Sequence, residues 1–277
     1  MESLTEREVR SWIPERRAEQ SKKDFGRLLI VAGSTGMAGA AVLCGKAALR
    51  SGVGLATFYV PGDLFPILQT ALYEATCLER YEGRKERAAH LAACTAVAAG
   101  PGLGRREEDL ILLMDVLAAG KPAVLDADAL NDIVRFDLHD AVRDAQGSVV
   151  LTPHEGEAAR LLGTTSIENR ETAVRTLADR YQATVILKGH HSLVASPDGV
   201  VTVNPTGCPG MAKGGSGDVL TGMIGAFLAK GMPAGKAALA GAYLHGMAGE
   251  LCQKALGEES ILARDLIDAI PHAFKSL

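Results

Sequence analysis

The sequence predicts an α/β fold, a central mostly parallel sheet covered by helices on both faces. Three observations carry this. Short apolar runs closed by Gly, Pro or Asp alternate with helix-length segments at short connections, the pattern of parallel βαβ units. Gly accounts for 31 of 277 residues and aromatics for only 4%, which suits tight turns and close helix–sheet packing more than an aromatic-cored sandwich. No Pro-, Ser- or Gly-rich linker and no internal repeat divides the chain. The economical organisation is an N-terminal extension, 1–24, followed by one domain, 25–277.

The elements follow in order. RLLIVA (27–32) is an apolar run closed by Gly33, a buried strand. An Ala-rich helix covers 38–51, then a strand 55–60, a helix near 63–73 and a short strand near 76–80. A helix near 84–93 leads to strand 95–99, and helix 107–119 leads to strand 122–126. Strand 148–152 ends at Pro153, and helix 168–182 leads to strand 184–188. Residues 192–195 and 200–203 flank Ser196-Pro197-Asp198-Gly199, a hairpin signal. The last third, 216–276, reads as helices. Its methionines, Met223, Met232 and Met247, suit either core or a subunit interface.

Composition narrows the function. Hydrophobic residues make up 47% and charged residues 22%, enough for a core and too apolar for disorder. The formal net charge is −4, and without clustered Lys and Arg no nucleic-acid partner is expected. Arg16, Arg17, Lys22 and Lys23 are interleaved with acids and read as a solvated surface. Five cysteines lack CxxC spacing, which fits neither a zinc site nor a disulfide scaffold. Reduced thiols in a cytoplasmic protein are expected. Met1 to Lys23 lacks an apolar signal core. No stretch of about 18 apolar residues offers a membrane span.

Ligands of open parallel sheets bind beyond the carboxyl ends of the strands, and the informative residues collect there. They are Gly33-Ser34-Thr35-Gly36, Gly100-Pro101-Gly102-Leu103-Gly104, Asp126-Ala127-Asp128, Thr152-Pro153-His154-Glu155 and Lys188-Gly189. Any one of them could be an ordinary strand-end turn; five on one edge favour a groove. The sharpest segment is GCPGMAKGGSGDVLTG, 207–222. Gly215, Ser216 and Gly217 at a helix start offer free backbone N–H groups, an anion hole for phosphate. Asp218 sits in the first helical turn, where the helix dipole favours a carboxylate by about 0.3–1 kcal/mol. GxxxxGK[ST], GxGxxG after a strand, HExxH and GxSxG are all absent.

With these motifs in place, the chain resembles the NAD(P)H-hydrate dehydratases, a family of ribokinase-like fold, over roughly 25–275. The resemblance rests on GSTGMAGAAVLCGKAALRSGVGL (33–55), AAGPGLG (98–104), AVLDADALN (123–131), LTPHEGEAARLLG (151–163), VILKGHHSLVASPDG (185–199) and NPTGCPGMAKGGSGDVLTGMIGAFLAKG (204–231). It implies a three-layer α/β/α sandwich and a repair reaction. A nucleotide donor phosphorylates the hydroxyl of the S hydrate of NADH or NADPH, and loss of phosphate restores the cofactor. ADP is the donor in most bacterial and archaeal members, ATP in most eukaryotic ones. Mg2+ is the implied cofactor.

The resemblance also implies roles. Asp218 matches the catalytic acid–base residue, with a general-base effect of roughly 10²–10⁴-fold. The Gly215–Gly217 amides face the transferring phosphoryl. Lys188, Gly189, His190, His191 and Ser192 match the adenine-nucleotide segment, and Gly217 a nucleotide phosphate contact. Ala40, Gly104 and His154, with Asp218, match positions that hold the hydrate. His154 has a second reading, as the cap of a helix beginning near Glu157. Asp126 and Asp128 either bind Mg2+, directly or through water, or serve a strand-end turn. No metal ligand is assigned.

Ser192 replaces the Thr more usual in KGxxT and keeps the hydroxyl. The extension is too short for the epimerase domain that many bacterial relatives carry, so a separate epimerase is the expected functional partner. A homotetramer is implied by the family. The rival of the same fold is a vitamin-precursor kinase of hydroxyethylthiazole or pyridoxine type. The rival of another class is a non-catalytic adenine-nucleotide sensor, against which the presence of Asp218 argues.

Overall fold

The computed structural model describes residues 1–277. In chain order the elements are β1 (Glu2–Ser3), α1 (Glu6–Trp12), β2 (Arg27–Val31), α2 (Ala38–Arg50), β3 (Leu55–Val60), α3 (Phe65–Ala71), β4 (Thr76–Glu79), α4 (Arg84–Ala93), β5 (Ala96–Ala99), α5 (Glu108–Ala118), β6 (Ala123–Leu125) and α6 (Asp128–Arg135). There follow α7 (His139–Arg143), β7 (Val149–Leu151), α8 (Glu155–Leu162), α9 (Arg170–Tyr181), β8 (Thr184–Leu187), β9 (Leu193–Ala195), β10 (Val201–Val203), α10 (Ser216–Ala229), α11 (Ala234–Leu256) and α12 (Ala263–Ser276).

One ten-stranded sheet runs β1-β10-β9-β8-β7-β6-β5-β2-β3-β4. β2 to β8 are mutually parallel, and β9 pairs antiparallel with both β8 and β10. Successive residues of a strand face opposite sides, and β2 uses this fully. Leu28 and Ile30 join the core beneath α2, α10, α11 and α12. Leu29 and Val31 join a second core with Leu113, Ile133, Leu161 and Leu177 of α5, α6, α8 and α9. A strand buried on both faces must be apolar throughout, which is why RLLIVA carries no polar alternation. The three-layer sandwich is as expected.

α10 is the central helix of the first layer. Twelve of its fourteen residues are buried, from Ser216 to Ala229 with Gly217 and Asp218 excepted. A helix apolar all round must lie inside the fold, so its only accessible part is its first turn. The fold therefore delivers the glycine turn to the strand ends while the rest of the helix anchors it.

Two features depart from the sequence-based expectation. The connection between β6 and β7 folds as α6 and α7, two short helices not anticipated there. The N-terminal extension belongs to the sheet: Glu2 pairs with Thr202 and Ser3 with Val203. Thr5 caps α1 in a reciprocal box with Glu8, and Leu4 and Val9 are buried in the first core. One apolar side chain per turn is too sparse a pattern to be seen among so many charges. Of the basic cluster, Arg16 packs over the Phe25 ring and donates to the Gly52 carbonyl. No helix is long and apolar enough to cross a membrane.

Candidate active site

The five strand-end segments lie side by side, because the strands that end in them, β8, β7, β6, β5 and β2, are consecutive in the sheet. Lys188 and His154 form a parallel bridge, with the Lys188 N–H donating to the Pro153 carbonyl. Asp126 N–H donates to the Ala99 carbonyl, and Gly33 N–H to that of Pro101. Backbone bonds thus knit separate loops into one ridge.

The first turn of α10 meets this ridge at its centre. Gly215 is the N-cap, with φ +94°. Only glycine adopts that left-handed conformation freely, and a Cβ there would press on Leu43 and Ala263. No side chain caps the helix start; the Ser216 N–H is bonded to the Lys213 carbonyl, and the N–H groups of Gly215 and Gly217 stay open, as an anion hole requires. A Cβ placed on Gly217 would lie 3.3 Å from Asp126 Oδ2 and 3.4 Å from Lys188 Nζ. The anion hole therefore adjoins an ion pair.

That pair is the electrostatic centre. Lys188 Nζ lies 2.7 Å from Asp126 Oδ1 and 3.8 Å from Glu157 Oε2. Thr221, one helical turn beyond Asp218, donates its hydroxyl to Asp126 Oδ2 at 2.8 Å. Burial pushes the Asp126 carboxyl up, but the Lys188 ammonium and the Thr221 hydroxyl outweigh it and hold the group below its ordinary range. Lys188 is raised: burial opposes its charge, and Asp126 and Glu157 more than restore it. Asp218 is different. Burial first, then the negative charge of Asp126, raises its carboxyl to about 7, with Lys188 pulling the other way. A carboxyl titrating near neutrality at an anion hole fits a general base.

The remaining expected site residues divide. Ala40 lies half-buried in the first turn of α2. Gly104 donates its N–H to Asp128 Oδ2 at 3.0 Å. His154 realises its capping reading: Nδ1 accepts from the N–H groups of Gly156 and Glu157 at 3.0 and 3.3 Å. The cap leaves the ring 55% exposed, so capping does not occupy the whole ring. Gly189, His190 and His191 form the loop between β8 and β9, and Ser192 Oγ donates to the Gly189 carbonyl. Lys188 turns inward from this loop, to Asp126.

The aspartates weighed as metal ligands are already engaged, Asp126 by Lys188 and Thr221, Asp128 by Gly104. No group of three or more His, Cys, Asp or Glu side chains is arranged to hold a metal ion. The side chains present therefore offer Mg2+ no all-protein cage.

Several contributors escaped the sequence reading. Arg170 donates to the carbonyls of His190 and Leu187 and pairs with Glu155 at 3.1 Å, fixing the 188–192 loop. Glu157 closes the His154 cap by accepting the His154 N–H; its spacing, three residues after the cap, is the signal that was available. Thr221 was signalled by helical spacing from Asp218. His245 on α11 is 8% exposed beside the backbone of Ser216, and burial lowers it to about 4. Nothing local marked it.

A Gly-rich helix start and a carboxylate raised toward neutrality, set at the strand ends of a mostly parallel sheet, make up the candidate site of a ribokinase-like α/β fold. The model of the family described as NAD(P)H-hydrate dehydratase matches residues 28–272, and the chain belongs to this family. It is 37% identical to the ADP-dependent (S)-NAD(P)H-hydrate dehydratase of Bacillus subtilis, over 98% of this chain and 97% of that one. A crystal structure described as the ADP/ATP-dependent NAD(P)H-hydrate dehydratase of B. subtilis, co-crystallised with ATP/Mg2+, superposes with a TM-score of 0.87. It is 34% identical and covers 99% of this chain and 98% of that one. The bifunctional NAD(P)H-hydrate repair enzyme of Moorella thermoacetica is 42% identical over 99% of this chain. The chain spans about half the length, 54%, of that bifunctional relative.

Proposed function

We propose that this chain dehydrates the S hydrates of NADH and NADPH at the expense of an adenine nucleotide, with ADP the preferred donor. The observation that carries the reading is Asp218, raised to about 7 in the first turn of α10 beside the open amides of Gly215 and Gly217. The hydroxyl oxygen of the hydrate attacks the terminal phosphorus of the donor. The bond from that phosphorus to the bridging oxygen breaks, releasing AMP from ADP, and Asp218 takes the hydroxyl proton. The Gly215–Gly217 amides face the charge on the transferring phosphoryl. The lone pair of the ring nitrogen then expels phosphate, and the adjacent ring carbon gives up a proton to restore the double bond.

The 188–192 loop holds the nucleotide, with Arg170 fixing its backbone. Ala40, Gly104 and the exposed ring of His154 hold the hydrate. Lys188 neutralises Asp126 and lies within reach of the phosphoryl path. Mg2+ bound to the nucleotide phosphates would neutralise their charge; the side chains present offer it no all-protein cage. An epimerase activity brings the other hydrate epimer into this reaction.

The test mixes the protein with the S hydrate of NADH, Mg2+ and either ADP or ATP, and follows reduced-nicotinamide absorbance. Recovery that requires nucleotide, faster with ADP, is the expected result. Absence of recovery with both donors, from protein that binds adenine nucleotide, overturns the reading.

A further inference from the structure

The largest fully buried side chain belongs to Arg80, 1% exposed, directly after the edge strand β4. Its guanidinium reaches inward beneath the ends of β3 and β2. Nε donates to the Tyr59 carbonyl at 3.3 Å, and Nη1 to Leu103 at 3.1 Å. Nη2 donates to both Ala32 and Gly33 at 2.6 Å. Nη1 also lies 3.8 Å from Asp109 Oδ1, a carboxylate with no exposure. Asp109 in turn accepts the Arg106 N–H at 3.1 Å. The guanidinium thus makes four hydrogen bonds to carbonyls of three separate segments and faces one carboxylate as an ion pair.

Burying a guanidinium is costly, and fold stability alone rarely requires it, since apolar residues of similar volume serve as well or better. What these bonds accomplish is geometric. Gly33 opens the loop leading to Ala40, and Leu103 precedes Gly104. Arg80 fixes the separation of these two loops from behind, while Ser34 Oγ, donating to the Gly102 carbonyl at 2.9 Å, ties them from in front. Asp128 holds Gly104 from the other flank. The nucleotide loop at 188–192 depends on none of these bonds.

We propose that Arg80, with Asp109 as its counter-ion, is a positioning residue for hydrate binding: it sets the gap between the 33–37 and 100–104 loops. The inference rests on the reading that Ala40 and Gly104 face the hydrate. A lysine cannot replace the arginine, because an ammonium offers donors from a single point and not from a planar fork.

The experiment measures KM for the NADH hydrate and for ADP separately in R80K, D109N and A40L, with near-UV circular dichroism as the check on folding. R80K is expected to raise the hydrate KM by on the order of ten-fold or more, since small misplacements of binding groups are amplified, with the ADP KM unchanged. D109N keeps the shape of the side chain and an acceptor for the Arg106 N–H, and is expected to raise the hydrate KM in the same direction by less. A purely structural role would lower the melting temperature and leave the ratio of the two KM values unmoved, which overturns the proposal. If R80K does not fold, D109N decides by the same ratio. A hydrate KM indifferent to A40L overturns the placement of the hydrate and this proposal with it. A KM that responds to A40L and to neither R80K nor D109N overturns the role of Arg80 alone.

Discussion

The two halves of the strand-end ridge are built on different principles. Around α10 the chain concentrates ionisable side chains: Asp126, Lys188, Glu157 and Asp218 lie together, Lys188 holds Asp126 ionised, and the charge of Asp126 raises Asp218. Around the 33–37 and 100–104 loops it offers mainly backbone, and one hidden guanidinium grips the carbonyls from behind. Under the proposed function the first half serves proton transfer and phosphoryl charge, and the second serves the shape of the hydrate ring. Electrostatic effects should therefore dominate substitutions in the first half and selective KM effects those in the second.

The contrast can be broken most forcefully at Asp218. D218N should lower kcat by roughly 10²–10⁴-fold, the range of a general base, with ADP binding retained in a calorimetric titration. Normal turnover by D218N would remove the proton-transfer half of the comparison. In the intact enzyme the base must be ionised, and its carboxyl titrates near 7. Activity should therefore rise with pH up to about 7 and then level.

The neighbours should move that limb in opposite directions. D126N removes the negative charge that raises Asp218, so the limb shifts to lower pH. K188M removes the cation that lowers it, so the limb shifts to higher pH. K188M also strands the buried Asp126 carboxylate, at a cost of about 3–5 kcal/mol, readable in a denaturant titration. Shifts of the same sign in both variants would deny the coupling.

A smaller effect concerns stability. His245 is buried and lowered to about 4, against an ordinary 6.5. Between these values the unfolded chain takes up a proton that the folded chain refuses, so stability is full above about 6.5 and falls as pH drops toward 4. H245Q should flatten this slope in thermal melts across that window. The smallest effect is at S192T, which keeps the hydroxyl that bonds the Gly189 carbonyl. Its ADP KM should stay within about two-fold, a few tenths of a kcal/mol.

The comparison also marks what could be read in advance. The helix start at Gly215–Asp218 was legible because the glycine turn and the first-turn acid lie within four consecutive residues. The capping role of His154 was legible for the same reason, being set by the residues that follow it. The ion pair of Asp126 with Lys188 and the grip of Arg80 on Gly33 were not. Their partners stand 62 and 47 residues apart, and no local pattern announces which distant carbonyl an arginine will meet.

The sequence by itself determined the α/β sandwich, the order of its principal strands and the family of its motifs. Apolar runs buried on both faces and glycine turns at helix starts are local consequences of sterics and hydrophobic burial. Only the tertiary structure decided that the N-terminal segment extends the sheet, that Asp126 is held by Lys188 and Thr221, and that a buried guanidinium joins two loops to the strand β3. Those outcomes depend on which groups are brought together out of water. Desolvation and pairing act through space, and their strength is fixed only once the chain has closed around them.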